Sequence, residues 1–137
     1  MTTTTPLDER TLSELDHVRL TALVRRTPAA AGGPLERLLD GASTVLPRDV
    51  PPDIITMHSQ VRVADATTGE CTVLTLCYPD EADPATGRVS VLSPVGAALL
   101  GRRTGEMAAW TTPDGREHAA HVEAILYQPA ASGDYTA

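Results

Sequence analysis

Two cysteines, four histidines and one close group of carboxylates are the side chains whose types and spacing could do chemistry in this chain of 137 residues. Cys71 and Cys77 stand six apart in the run ECTVLTLCY, which reads as one strand. At ~3.3 Å per residue they share a face about 20 Å apart, too far to bridge. A redox or metal pair needs a closer spacing such as C-x-x-C, so both are expected to be small buried apolar residues. His118 and His121 are three apart on a predicted strand and point to opposite faces, and His58 is expected in another strand region. That spacing does not converge on a metal. Asp80, Glu81 and Asp83, between Pro79 and Pro84, lack the spaced ligand loop of a calcium site and read as a solvated turn.

Composition removes further classes. All 11 basic residues are arginine, so no lysine is present for a Schiff base or a phosphate loop. No G-x-S-x-G elbow marks a nucleophile. Net charge is −7, with 3% aromatics and no Phe, a poor endowment for holding a phosphate backbone or stacking a ring. No catalytic residue, metal ligand or cofactor is expected, and a protein partner is favoured over nucleic acid. The start MTTTTPLDER lacks the basic and apolar runs of a secretory signal, and no stretch of about 18 apolar residues occurs, which predicts a soluble, cytoplasmic protein.

The elements that must position any site follow from periodicity. Residues 1–13 are Thr-rich, expected to be frayed apart from a short extended piece. Leu15, Val18, Ala22 and Leu23 recur at helical spacing after Ser13, which with Asp16 resembles a capping box, so a helix is predicted over 14–26. Pro34 opens a second predicted helix, Leu35, Leu38, Leu39, Ala42 and Leu46, stopped by Pro47. Two arms of about 13 residues, each ~20 Å long, make a helical hairpin. Its tip, Pro28, Ala29, Ala30, Ala31 and Gly32, consists of small residues. The proline-rich joint near 47–52 divides a segment 1–47 from a domain 48–137, where the period changes to two. Five strands around Val61, Val73 to Leu76, Arg88 to Leu92, Glu106 to Thr111 and Glu117 to Ile125 predict an antiparallel sheet with one short helix, an α+β domain. Residues 1–46 carry six acids and five arginines, whereas 47–137 carry twelve acids and six arginines, so the acidity belongs to the sheet.

The run Ser93-Pro94-Val95-Gly96-Ala97-Ala98-Leu99-Leu100-Gly101 differs in kind. It reads as a capped helix packing Leu99 and Leu100 on the sheet, and its small residues equally suit close approach of a partner. Continued through Arg102-Arg103-Thr104-Gly105, it resembles the signature of the C-terminal domain of the Gre transcript-cleavage factors. The stretches Pro52-Asp53-Ile54-Ile55-Thr56-Met57-His58-Ser59 and Tyr127-Gln128-Pro129-Ala130-Ala131-Ser132-Gly133-Asp134-Tyr135 narrow the likeness to a Gre-related group with a short N-terminal helical hairpin. The resemblance implies an FKBP-like sheet, a coiled-coil hairpin and a bacterial transcription regulator. Its partner would be RNA polymerase, held at the rim of the secondary channel through Ser93, Pro94, Val95, Gly96 and Ala97, in competition with Gre-type factors. Gre factors present acidic residues at the hairpin tip to help hold a catalytic metal, whereas Thr27 to Gly33 here contains no carboxylate. Binding without stimulation of transcript cleavage is therefore expected, by a monomer. The FKBP-like fold also raises prolyl isomerisation as an alternative, although such pockets are lined by several aromatic rings and this chain has one Trp and no Phe.

Overall fold

A computed structural model describes residues 10–134. The chain enters through a short strand β1 (Thr11–Ser13) and turns into helix α1 (Glu14–Arg25). The Ser13 hydroxyl caps α1 by accepting the Asp16 N–H at 3.0 Å. A 3-10 turn at Pro28–Ala30 leads to α2 (Pro34–Gly41), and β2 (Ser43–Val45) follows. His17 Nε2 lies 2.9 Å from the Leu39 carbonyl, which brings the start of α1 to the end of α2.

The second arm is shorter than its periodicity predicts. It has 8 residues rather than about 13, or about 12 Å of helix. Gly41 is a poor helix residue and Ser43, Thr44 and Val45 are little better. Strand β1 instead offers those three a parallel ladder, Thr11 to Ser43, Leu12 to Thr44 and Ser13 to Val45. The extended piece expected near the N-terminus is this β1; residues 1–9 of that frayed segment lie outside the described residues.

The main sheet contains β3 (Gln60–Asp65), β4 (Cys71–Cys77), β5 (Arg88–Ser90), β6 (Met107–Thr111) and β7 (Glu117–Tyr127), in the order β5-β4-β3-β7-β6. Helix α3 (Pro94–Leu99) lies between β5 and β6 in the chain. All pairs are antiparallel except β4 with β5, which corrects the wholly antiparallel expectation. Two 3-10 turns, Pro79–Glu81 and Pro84–Thr86, carry the chain back far enough for Arg88 to start beside Thr75. Register shifts at Gln60/Val61 and Arg62/Val63 against β7 curl the sheet.

One hydrophobic core runs through both halves of the chain. Leu12, Leu20 and Leu39 pack in the same cluster as Met57, Leu99 and Val122, all nearly excluded from water. The three stretches that carry the resemblance interlock beside it. Ile55 donates its N–H to the Arg102 carbonyl and accepts from the Gly101 N–H, at 2.9 and 2.8 Å. Buried Gln128 donates through Nε2 to the carbonyls of Pro51 and Ile54, at 2.8 and 2.7 Å. These contacts fasten the strap 51–57 between the end of α3 and the C-terminal tail.

Candidate functional site

Helix α3 is built to be held tightly. The Ser93 hydroxyl accepts the Gly96 N–H at 3.1 Å and donates to the Ser90 carbonyl at 2.6 Å, while Pro94 occupies the first helical position. A Cβ on Gly96 would lie 2.0 Å from the Ser90 carbonyl oxygen, so only glycine lets α3 come this close to the chain leaving β5. At its other end, the buried Arg10 guanidinium donates to the carbonyls of Ala97 and Leu100, and Arg102 Nε donates to that of Ala98. Two fixed cations thus meet the negative end of the helix. Ser93, Pro94 and Val95 are half-buried and present a surface, whereas Gly96 and Ala97 are buried. The close approach that small residues permit is used inside the molecule, by the Ser90 backbone.

The hairpin tip contrasts with α3. None of Pro28, Ala29, Ala30, Ala31 and Gly32 is buried, and Gly32 takes a left-handed conformation with φ +72°. The tip sequence has no acid, yet the structure folds one onto it. Glu36, from the first turn of α2, accepts the Gly32 N–H at 2.6 Å, and Arg37 Nη1 donates to the Gly32 carbonyl at 2.9 Å. The Glu36 carboxylate therefore closes the turn.

A further polar group escaped the sequence reading. Asp16 occupies the third position of α1, where a capping-box acid bonds back to the cap residue's own N–H. Here its Oδ2 accepts the Met57 N–H at 3.1 Å, tying α1 to the strap before β3. The side chain is 3% exposed, and burial pushes its pKa up to about 6, against the pull of the Met57 N–H and the charges of His58 and Arg19. The capping pattern marked Asp16 as polar; nothing in it marked a carboxylate that crosses to another element.

The remaining chemical residues take local roles. His58 lies in a turn with φ 66°, not in a strand, and its Nε2 is 2.9 Å from Glu81 Oε1. That bond holds the Glu81 carboxyl below its ordinary range. Glu81 also accepts the Tyr78 N–H and Asp83 the Ala85 N–H, so two of the three clustered acids brace their own turns. Cys77 is buried as expected, whereas Cys71, on the same face, is exposed, because burial rises along β4 and residues 71–73 at its start are all exposed, whichever face they occupy. His118 and His121 fall on opposite faces of β7, and the His118 ring stacks on Trp110 at 5.7 Å and 13°. Among the described residues no group of three or more His, Cys, Asp and Glu could hold a metal, and no helix is long and apolar enough to cross a membrane.

A curled, mostly antiparallel sheet with a Ser-Pro-capped helix between two strands and a helix pair on its core is the architecture of a GreA/GreB-like regulator. A solved structure described as prokaryotic transcription elongation factor GreA/GreB from Nitrosomonas europaea shares it with a TM-score of 0.71 and 34% identity, over 86% of this chain and 99% of that one. The chain belongs to the family of the transcription elongation factor GreA/GreB C-terminal domain, whose pattern matches residues 50–127. Within it, the chain is 39% identical to the regulator of nucleoside diphosphate kinase of Escherichia coli K12 over 128 residues, covering 90% of this chain and 93% of that protein. It is 44% identical over 64 residues to transcription elongation factor GreA of Desulfovibrio desulfuricans, and there it spans 40% of the relative's length. These relatives are regulators and transcription factors, and they lend the prolyl-isomerase alternative no support.

Proposed function

We propose that this protein is a transcription regulator that binds RNA polymerase near its secondary channel, competes there with Gre-type factors and does not stimulate transcript cleavage. Kinship with a transcription elongation factor family supports the polymerase as partner. The observation that carries the second half is the hairpin tip. It has no carboxylate of its own, the neighbouring Glu36 is bonded to the Gly32 N–H, and α2 provides only about 12 Å of helix. A metal needs free oxygen ligands that this tip does not offer.

The docking surface is Ser93, Pro94 and Val95, with Gly96 and Ala97 holding the helix in place from within. The domain 48–137, read as FKBP-like, carries this surface, and the helical hairpin within the segment 1–47, read as a short coiled coil, stands toward the channel with its tip, Pro28 to Gly32. An effect on nucleoside diphosphate kinase, the subject of the relative's name, then runs through transcription without direct contact between the two proteins. Pull-down with purified core polymerase tests the first claim: retention at micromolar protein is expected, with loss on Pro94→Asp or Val95→Asp while circular dichroism is unchanged. No retention of the unaltered chain would sink the reading. Stalled elongation complexes test the second, where faster transcript shortening on adding the protein would contradict it.

A further inference from the structure

The two edges of the main sheet are finished differently. Edge strands usually avoid stray pairing by shortness, charge, proline or bulges. Strand β5 has three residues, begins with Arg88 and follows a proline-opened turn. Strand β6, at the other edge, is Met107-Ala108-Ala109-Trp110-Thr111, five residues without charge or proline.

The register shows which of its backbone groups are open. Ala108 stands opposite Ala120 and Trp110 opposite His118. Hydrogen bonds from the Val122 N–H to the Glu106 carbonyl and from the Thr112 N–H to the Arg116 carbonyl flank these pairs. Positions 106, 108, 110 and 112 therefore face β7, and Met107, Ala109 and Thr111 turn their N–H and C=O outward. Among the described residues these outward groups meet no partner. Ala109 and Thr111 line a groove of about 690 Å³ whose other walls include Pro94 and Ala97 of α3 and Leu38 of α2. The exposed Arg37 also lines it, in a chain of net charge −7, and so does Arg10, whose buried guanidinium is held by the carbonyls of Ala97 and Leu100.

We infer that this groove takes an extended, acidic segment of a partner protein, which adds to the sheet as a sixth strand beside β6 with a carboxylate side chain toward Arg37. Main-chain hydrogen bonds to Ala109 and Thr111 supply affinity, and Arg37 selects sign of charge. A second copy of this chain is a poorer occupant, because the β6 it would bring carries no acid to meet Arg37. The inference goes beyond polymerase binding and does not depend on it, since its test contains no polymerase.

Trp110, the single tryptophan, lines the groove and reports on it. The probe is a blocked seven-residue peptide of alternating threonine and valine with one central glutamate, titrated into the full-length protein. A shift in Trp110 emission and slowed exchange of the Ala109 and Thr111 amides are expected. A twin peptide with lysine in place of glutamate should bind about tenfold more weakly. Ala109→Pro removes one outward donor while leaving the β6–β7 ladder intact, and should weaken binding about tenfold. Arg37→Glu, at an exposed position, should reverse the preference between the two peptides and guards against misfolding of the proline variant. No spectral or exchange change at millimolar peptide, equal binding of both peptides, or unchanged affinity in Ala109→Pro would overturn the proposal. So would sedimentation showing a dimer that Ala109→Pro dissolves, which would make a second copy the occupant.

Discussion

Two segments of this chain open with proline, are rich in Ala and Gly and have opposite surroundings: the hairpin tip from Pro28 to Gly33 and helix α3 from Pro94 to Leu99. At Gly32 an added Cβ would meet nothing within 4 Å, whereas at Gly96 it would meet the Ser90 carbonyl oxygen at 2.0 Å. None of Pro28 to Ala30 is buried, while Gly96, Ala97, Ala98 and Leu99 all are. Small side chains at the tip leave the turn open to water, and in α3 they are what allows the helix to sit on the backbone behind it. Composition alone does not distinguish a loop that tolerates change from a helix that forbids it.

The largest test of that difference is Gly96→Ala. The clash is with backbone, which cannot swing aside, so a loss of at least about 3 kcal/mol is expected in urea denaturation. Gly32→Ala, in open space at φ +72°, should cost about 1 kcal/mol through backbone strain alone. Equal losses would erase the contrast.

The next test moves to the base of the same helix pair, where Asp16 ties α1 to Met57. Its folded pKa of about 6 lies above the ordinary 3.8, so the native state holds the proton more tightly than the unfolded chain. This group's contribution to stability therefore falls as pH rises from about 4 to about 6 and stays low above that. Asp16→Asn keeps an acceptor for the Met57 N–H without a buried charge, and should stabilise the protein by about 2 kcal/mol at pH 7. At pH 4 the advantage should vanish; a pH-independent difference between the two proteins would refute the assignment.

Smaller effects complete the comparison. Ser93→Ala removes the cap of α3 and should lower stability by about 1 kcal/mol, visible as a fall in Tm. Ala29→Asp at the exposed tip should change stability by no more than about 0.5 kcal/mol. A larger loss there would mean that the tip is packed in a way its exposure does not show.

Much of the fold was legible in residue order. Ser13, Pro34 and Ser93-Pro94 mark the three helix starts where they occur, because capping and proline chemistry act within a few residues. The two-residue period located the strands for the same local reason. The end of α2 was not legible, since Ala42 and Leu46 continue a helical spacing and only the presence of β1 draws Ser43 to Val45 into a ladder. The parallel pairing of β5 was hidden too, as it depends on how far two 3-10 turns carry the chain.

For the candidate site, residue types alone determined where a distinctive segment lies, that lysine chemistry is absent and that the tip sequence holds no acid. Tertiary structure decided which residues of that segment face water, that Glu36 closes the tip, that Asp16 reaches Met57, and that among the described residues β6 keeps an open edge beside Arg37. The division has one physical cause. Caps, turns and periodicity are short-range properties of neighbouring residues, whereas the bonds of His17 to Leu39, Asp16 to Met57 and Arg10 to Leu100 join residues 22 to 90 positions apart.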